Sequence, residues 1–272
     1  MKLSTLLLRI VLACAALMVL LPLLWTLLNA FKTNADLLVN TPKLIFTPIW
    51  DNMQYVLGRR SVARALTNSL VICSSAVAMG ALLGVPAAYV IARVKNRLTR
   101  EAQFFALSLR FLPPVAVAIP MMVIWLGLGF YDTRFALIVT YMTITISITI
   151  WLSIPAFERV PIAVEEAARV DRLGPYATFF RVALPIARPQ ILAAIAFSFI
   201  LVWNEFLLAM MLSTSKARTL PVVASEMSQL GMNVPWGVLN AAVVLLSLPP
   251  LILLAVAGAG MNSVFSRKST QD

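Results

Sequence analysis

The chain has 272 residues, is 61% hydrophobic, carries 12% charged residues and has a formal net charge of +11. Soluble domains carry about 25% charged residues, so this composition, with a mean hydropathy of +0.90, excludes an ordinary soluble domain. The sequence has no histidine, which excludes a Ser-His-Asp triad, an HExxH zinc site and histidine proton relays. Its two cysteines, Cys14 and Cys73, sit in separate apolar runs and read as neither a disulfide framework nor a metal site.

Apolar runs of about 20 residues, long enough to cross roughly 30 Å of hydrocarbon, predict an all-α polytopic membrane protein with six transmembrane helices. The ten-residue alternation of a membrane barrel is not present. The first span, 6–31, opens with Lys2 and Arg9 and exceeds the apolar core of about 7–15 residues in a signal peptide, so a retained helix is expected. With the polar segment that follows, it forms a unit at 1–64; the remaining spans form a transmembrane core at 65–272. The second span is expected at 65–92. RVKNRLTR (93–100), with four basic residues and no acid, leads to a third span at 104–126, which Pro113, Pro114 and Pro120 interrupt. The short link GLGFYDTR (127–134) precedes a fourth span at 135–153, where Thr140, Thr143, Thr145, Ser147 and Thr149 read as helix–helix contacts. The fifth span is expected at 189–212 and the sixth at 236–260.

An even number of spans places both termini, RVKNRLTR and the long fourth-to-fifth link on one side. That side holds 13 Lys and Arg residues against 8 on the other, with Arg110 inside a span. The positive-inside tendency makes it cytoplasmic. The basic balance is therefore read as topology, and nucleic acid is not expected as a partner. Trp50, Tyr55, Trp125, Tyr131 and Trp236 lie near span ends and are expected to anchor at the interface.

The long internal link, 155–188, is dense in charge: nine of the 33 charged residues fall between Glu158 and Arg188. Pro161 suits a first helical position, and Glu165 and Glu166 complement a helix's positive end. Ile162, Ala163, Ala167 and Val170 recur at helical spacing. Gly174 is expected to stop this helix and Pro175 to restart a second at 176–183, which Leu184 and Pro185 break. Small Ala167 and Ala168 permit close approach by another surface. The residues alone leave open a solvated amphipathic loop lying on the membrane.

Two charges are expected inside spans. Arg110 would lie roughly 13 Å deep and Glu205 roughly 24 Å from the cytoplasmic face, at 1.5 Å per residue. A charge at such depth is a functional candidate. Trp203, Asn204 and Glu205 form a sugar-type set, a flat ring beside hydrogen-bonding groups. The same set could instead meet a partner permease or a binding protein, and Asn204 could simply bond a neighbouring helix. Asn68 is a further pathway candidate of the same kind.

EAA (166–168), then Asp171, then LP (184–185) resembles the EAA loop in membrane subunits of bacterial ABC importers. RFLPPVAVAIP (110–120), GLGFYDTRFALIV (127–139), WNEF (203–206) and RTLPV (218–222) fall in the order shown by maltose-type permease subunits of carbohydrate importers. The resemblance covers about 67–222. It implies a type I ABC importer permease fold and alternating access for a sugar, oligosaccharide, polyol or sugar derivative. It implies ATPase coupling through Glu165, Glu166, Ala167, Ala168, Asp171, Gly174, Leu184 and Pro185. The expected partners are a second, homologous permease subunit, two cytoplasmic ATP-binding subunits and a periplasmic or lipid-anchored binding protein. The chain itself is expected to be non-catalytic, with ATP and Mg on the partner subunits, because no glycine precedes a lysine and GxxxxGK[ST] is absent. The expected location is the bacterial cytoplasmic membrane. A non-sugar cargo such as glycerol phosphate is the alternative, and an ATPase-independent secondary transporter a more distant one. The family usually has Gly directly after the Asp; here Arg172 stands there, so a turn displaced to Gly174 and a longer first helix are expected.

Overall fold

The computed structural model describes residues 3–228 and 235–266. In chain order the helices are α1 (Leu3–Ala30), α2 (Asn34–Leu37), α3 (Asp51–Gly58), α4 (Arg60–Arg93), α5 (Arg97–Phe111), α6 (Pro114–Gly127) and α7 (Arg134–Glu158). They continue as α8 (Ile162–Val170), α9 (Pro175–Thr178), a π-helical turn (Phe179–Ala183), α10 (Leu184–Trp203), α11 (Leu207–Leu212), α12 (Leu220–Ser228) and α13 (Trp236–Ser266). No strand occurs among the described residues. Five helices are long and apolar enough to cross a membrane, and the bent pair α5 and α6, counted as one span, makes six.

The helices divide into two compact units, Met1–Arg64 with Leu220–Pro249 and Ala65–Thr219 with Pro250–Asp272. In the first, the segment after α1 folds back on that helix's end. Asn52 Nδ2 donates to Ala30 O at 3.0 Å and to Lys32 O at 2.8 Å, and Ile49 N–H to Phe31 O at 2.9 Å. Lys32 is buried, with its Nζ 4.6 Å from the Trp25 ring centroid and 3.0 Å from Asn29 Oδ1. A π face and an amide oxygen thus replace the water this cation loses. A Cβ at Gly237 would meet the amide end of Asn52, so a larger residue there would displace the side chain that makes those two hydrogen bonds.

The second unit is built around α7, against which α5 and α10 pack. Its core joins Val85, Ala88, Ile154, Phe157, Phe179 and Ile191. A Cβ on Gly80 would strike Thr145, and one on Gly84 would lie 3.0 Å from Thr149 Cβ. Missing side chains let α4 lie close to α7, the small-residue packing that helices in lipid depend on. Thr145 Oγ1 then donates to Ala76 O at 2.8 Å, Ser147 donates to Ala106 O, and Trp125 Nε1 donates to Thr140 Oγ1 at 3.0 Å. Trp125 is buried and holds α6 to α7.

Four boundaries differ from the sequence reading. The third span is two helices bent by 93°, because Pro113 and Pro114 withhold backbone donors at the joint. The fifth ends at Trp203, so residues 204–206 form a break before α11. Leu184 and Pro185 do not break a helix: α9, the π turn and α10 run as one element, Pro175–Trp203. Leu184 N–H reaches back to Phe179 O, and this wider turn accommodates a proline that cannot donate. Pro161 is the N-cap of α8, one residue before its first turn.

Candidate functional site

The charge-dense segment folds as α8, a tight turn and α9, and a buried charge cluster fixes it. Arg93, the last residue of α4, donates from Nη2 to Glu165 Oε1 at 2.7 Å and from Nε to the same oxygen at 3.0 Å. Its Nη2 also meets Phe157 O at 2.9 Å and Val160 O at 3.0 Å, where α7 ends. Tyr89 Oη donates to Glu165 Oε2 at 2.8 Å. Glu165 is 2% exposed, so its carboxylate has exchanged water for charge-assisted hydrogen bonds. Tyr89 also packs on Phe157 and Phe179, with ring centroids 5.3 and 5.0 Å apart. One arginine therefore ties together the ends of α4 and α7 and the first turn of α8.

This latch sorts the loop residues by direction. Glu165 and Ala168 point inward and are buried, whereas Glu166, Ala167, Asp171 and Gly174 are exposed. Ile162, Val170 and Tyr176 are also exposed, Val170 and Tyr176 at 82% each. Such apolar groups on a charged segment form a surface suited to contact. Leu184 is half-buried, and Pro185 is exposed, at the start of α10.

The turn is not displaced to Gly174. Helix α8 ends at Val170, Asp171 is its C-cap, and Arg172 has φ 62°. Arg172 thus occupies the left-handed position that closes a helix and favours glycine. Leu173 N–H bonds back to Ala168 O at 3.0 Å. Gly174, at φ −68°, caps α9 in a conformation open to any residue.

At the far end of the same unit, residues 213–219 are held by a second polar cluster. Asn68 is fully buried. Its Nδ2 donates to Lys216 O at 2.9 Å and Arg218 O at 2.8 Å, and its Oδ1 accepts from Arg134 Nε at 2.7 Å. Asp132, itself at φ 57°, accepts from the backbone N–H groups of Thr214, Ser215, Lys216 and Ala217 at 3.0–3.2 Å. Burial would raise its pKa; the four amides, led by Lys216 and Ala217, outweigh burial and hold the carboxyl well below the usual carboxylate range.

The remaining pathway candidates diverge. Trp203 is 1% exposed and stacks on Phe199, centroids 5.5 Å apart, so its ring is occupied. Glu205 lies beyond α10, not within it. Its carboxylate accepts from Leu208 and Ala209 N–H at 2.9 and 3.2 Å, capping α11, and from Tyr141 Oη at 3.0 Å. Asn204 is exposed, with Nδ2 2.7 Å from Ile200 O. The Arg110 side chain lies outside the described residues. A cavity of about 110 Å³ sits at the bend of α5 and α6, lined by residues including Leu112, Pro114, Thr143 and Leu208.

Sequence reasoning missed Arg93, Tyr89 and Asp132. Arg93 was counted as one of four loop cations. Its signal was weak: it directly ends an apolar run, with Tyr89 one turn earlier.

An all-α chain with several membrane-length helices and a folded polar loop between two of them is the architecture of a multi-pass membrane protein. The match is direct: residues 80–268 fit the family described as "Binding-protein-dependent transport system inner membrane component", and the chain belongs to that family. Diacetylchitobiose uptake system permease protein NgcG of Streptomyces coelicolor is 30% identical over 241 residues, 88% of this chain and 80% of that one. Trehalose transport system permease protein SugB of Mycobacterium tuberculosis is 29% identical over 240 residues, 87% of each chain. Among solved structures, a bacterial ABC transporter involved in alginate import superposes with TM-score 0.76 at 20% identity, covering 95% of this chain and 96% of that one. The MetNI methionine ABC transporter, inward facing, gives 0.63 at 20% identity, covering 79% and 99%. The fold is that of an ABC importer permease, and the chain is a multi-pass membrane protein.

Proposed function

We propose that this chain is the transmembrane subunit of an ATP-driven importer that moves a sugar or sugar derivative across the bacterial cytoplasmic membrane by alternating access. The relatives named for diacetylchitobiose and trehalose support a sugar over glycerol phosphate. Family membership weighs against an ATPase-independent transporter. The observation that carries the coupling role is the division of α8 into a locked face and an exposed one. Glu165 and Ala168 hold the helix to the membrane unit. Glu166, Ala167 and Asp171, with Ile162, Val170 and Tyr176, are left for a partner ATPase. Gly174, Leu184 and Pro185 position the exit into α10.

In this reading both termini and α8 face the cytoplasm, in line with the Lys and Arg bias. The chain pairs with a second permease subunit, two ATP-binding subunits that carry ATP and Mg, and a periplasmic or lipid-anchored binding protein. Asn204, exposed at the break after α10, faces the pathway. Asn68, Trp203 and Glu205 shape the wall around it, and Arg110 is retained as a pathway candidate.

A single cysteine at exposed Ala167, carrying a short crosslinker, should capture a nucleotide hydrolase in native membranes, and one at buried Ala168 should capture far less. Recovery of the chain alone, still transporting, would overturn the coupling role. A panel of sugars with the cognate binding protein should stimulate ATP hydrolysis by the purified complex; stimulation by glycerol phosphate alone would overturn the cargo class.

A further inference from the structure

Arg188 was read from sequence as a loop cation, but it lies in α10, on a helix long and apolar enough to span. It is exposed, and no acidic side chain or other hydrogen-bonding group pairs with it among the described residues. It lines a groove of about 420 Å³ between α4 and α10 whose other walls, Leu82, Val85, Phe180, Leu184 and Leu192 among them, are apolar. Two backbone features shape the groove. Pro86 removes a donor inside α4, and the π turn sends Phe179 into the core while leaving Phe180 60% exposed.

We propose that this groove binds one phospholipid of net negative charge, its acyl chain along the groove and its phosphate on Arg188. Depth supports this. Arg188 is the fifth residue of α10 (Leu184–Trp203), in the half nearer α8, where a long side chain that snorkels reaches toward the headgroups. Width supports it too. The groove follows about 12–24 Å of helix at 1.5 Å per residue, so its mean cross-section is about 20–35 Å². A single extended acyl chain fits a section of that size. Charge completes the case. An exposed arginine with no partner among the described residues, set in an apolar wall, favours an anion beside it, and basic pockets between transmembrane helices take anionic headgroups. A zwitterionic lipid would bring its own ammonium to the same place.

The test uses the detergent-extracted chain with the subunits that co-purify with it, placed in nanodiscs of phosphatidylcholine with one quarter phosphatidylglycerol. Native mass spectrometry should show phosphatidylglycerol retained at least fivefold over its share. Arg188→Leu should lose that selectivity, Arg188→Lys should keep at least half of it, and Leu82→Trp should exclude the lipid by filling the groove. A photo-crosslinker at Leu192 should label lipid. Equal retention of both lipids by the wild type, unchanged selectivity in Arg188→Leu, or crosslinking at Leu192 to a second protein chain would each overturn the proposal. Should Arg188→Leu not elute as the intact complex, Leu82→Trp decides, and unchanged retention there overturns it as well. None of these readouts depends on ATPase coupling, so the two proposals fail separately.

Discussion

The two ends of the 65–219 unit solve the same problem with different chemistry. At one end a buried carboxylate, Glu165, is neutralised by a cation, Arg93, and accepts a hydrogen bond from a phenol, Tyr89. At the other a carboxylate, Asp132, is held by four backbone amides of residues 214–217. The first joins side chains on separate helices, so it fixes a helix to its neighbours as a rigid body. The second gathers the main chain of one loop around a point, so it fixes a shape. A latch of the first kind suits the coupling role proposed for α8, and a clasp of the second kind suits a loop of fixed shape.

The contrast can be broken at several points. Glu165→Ala should have the largest effect. It leaves Arg93, 13% exposed, with only the Phe157 and Val160 carbonyls, and breaking a largely buried pair in this way costs up to about 3 kcal/mol. The melting temperature of the purified complex should fall, and ATP hydrolysis should lose its dependence on substrate. A variant that melts and couples like the wild type would show that the latch holds nothing.

Asp132→Ala comes next, with a loss of about 2–3 kcal/mol as charge-assisted bonds are removed and faster proteolytic cutting at 213–219. The clasp also has a pH signature. Its folded pKa lies below the unfolded value, so its stabilisation is complete above about pH 4, where free aspartate ionises. It is lost progressively as pH falls from there to the depressed folded value. Protease resistance of that loop should therefore persist through pH 5; a loss between pH 7 and 5 would contradict the amide-held carboxylate.

Gly84→Val should cost about 1–3 kcal/mol through overpacking against Thr149, read as a lower melting temperature with the latch chemistry intact. The smallest effect is expected for Arg172→Gly. Glycine relieves the left-handed strain but gains freedom in the unfolded chain, so a net gain of up to about 1 kcal/mol should appear. A marked loss of stability would mean that the Arg172 side chain contributes a contact of its own.

Much of the fold could be read in advance because it depends on composition. The all-α class, the membrane-length helices and the folded polar loop follow from apolar length and charge density. Helix boundaries were less accessible. WNEF looked continuous with the fifth span, yet Glu205 caps a new helix and ends it. Pro185 looked like a stop, yet a π turn absorbs it. Trp203 looked like a sugar platform, yet Phe199 occupies its face.

Local sequence determined the fold class, the approximate spans and the position of the loop, since hydrophobic length and proline or glycine spacing act over a few residues. Which face of α8 is locked, which carboxylate meets Arg93 and which loop surrounds Asp132 were decided by tertiary structure. Those partners lie 72–85 residues apart in the chain. Hydrogen-bond geometry across such separations is set by which helix packs on which, and no local stretch of sequence records that pairing.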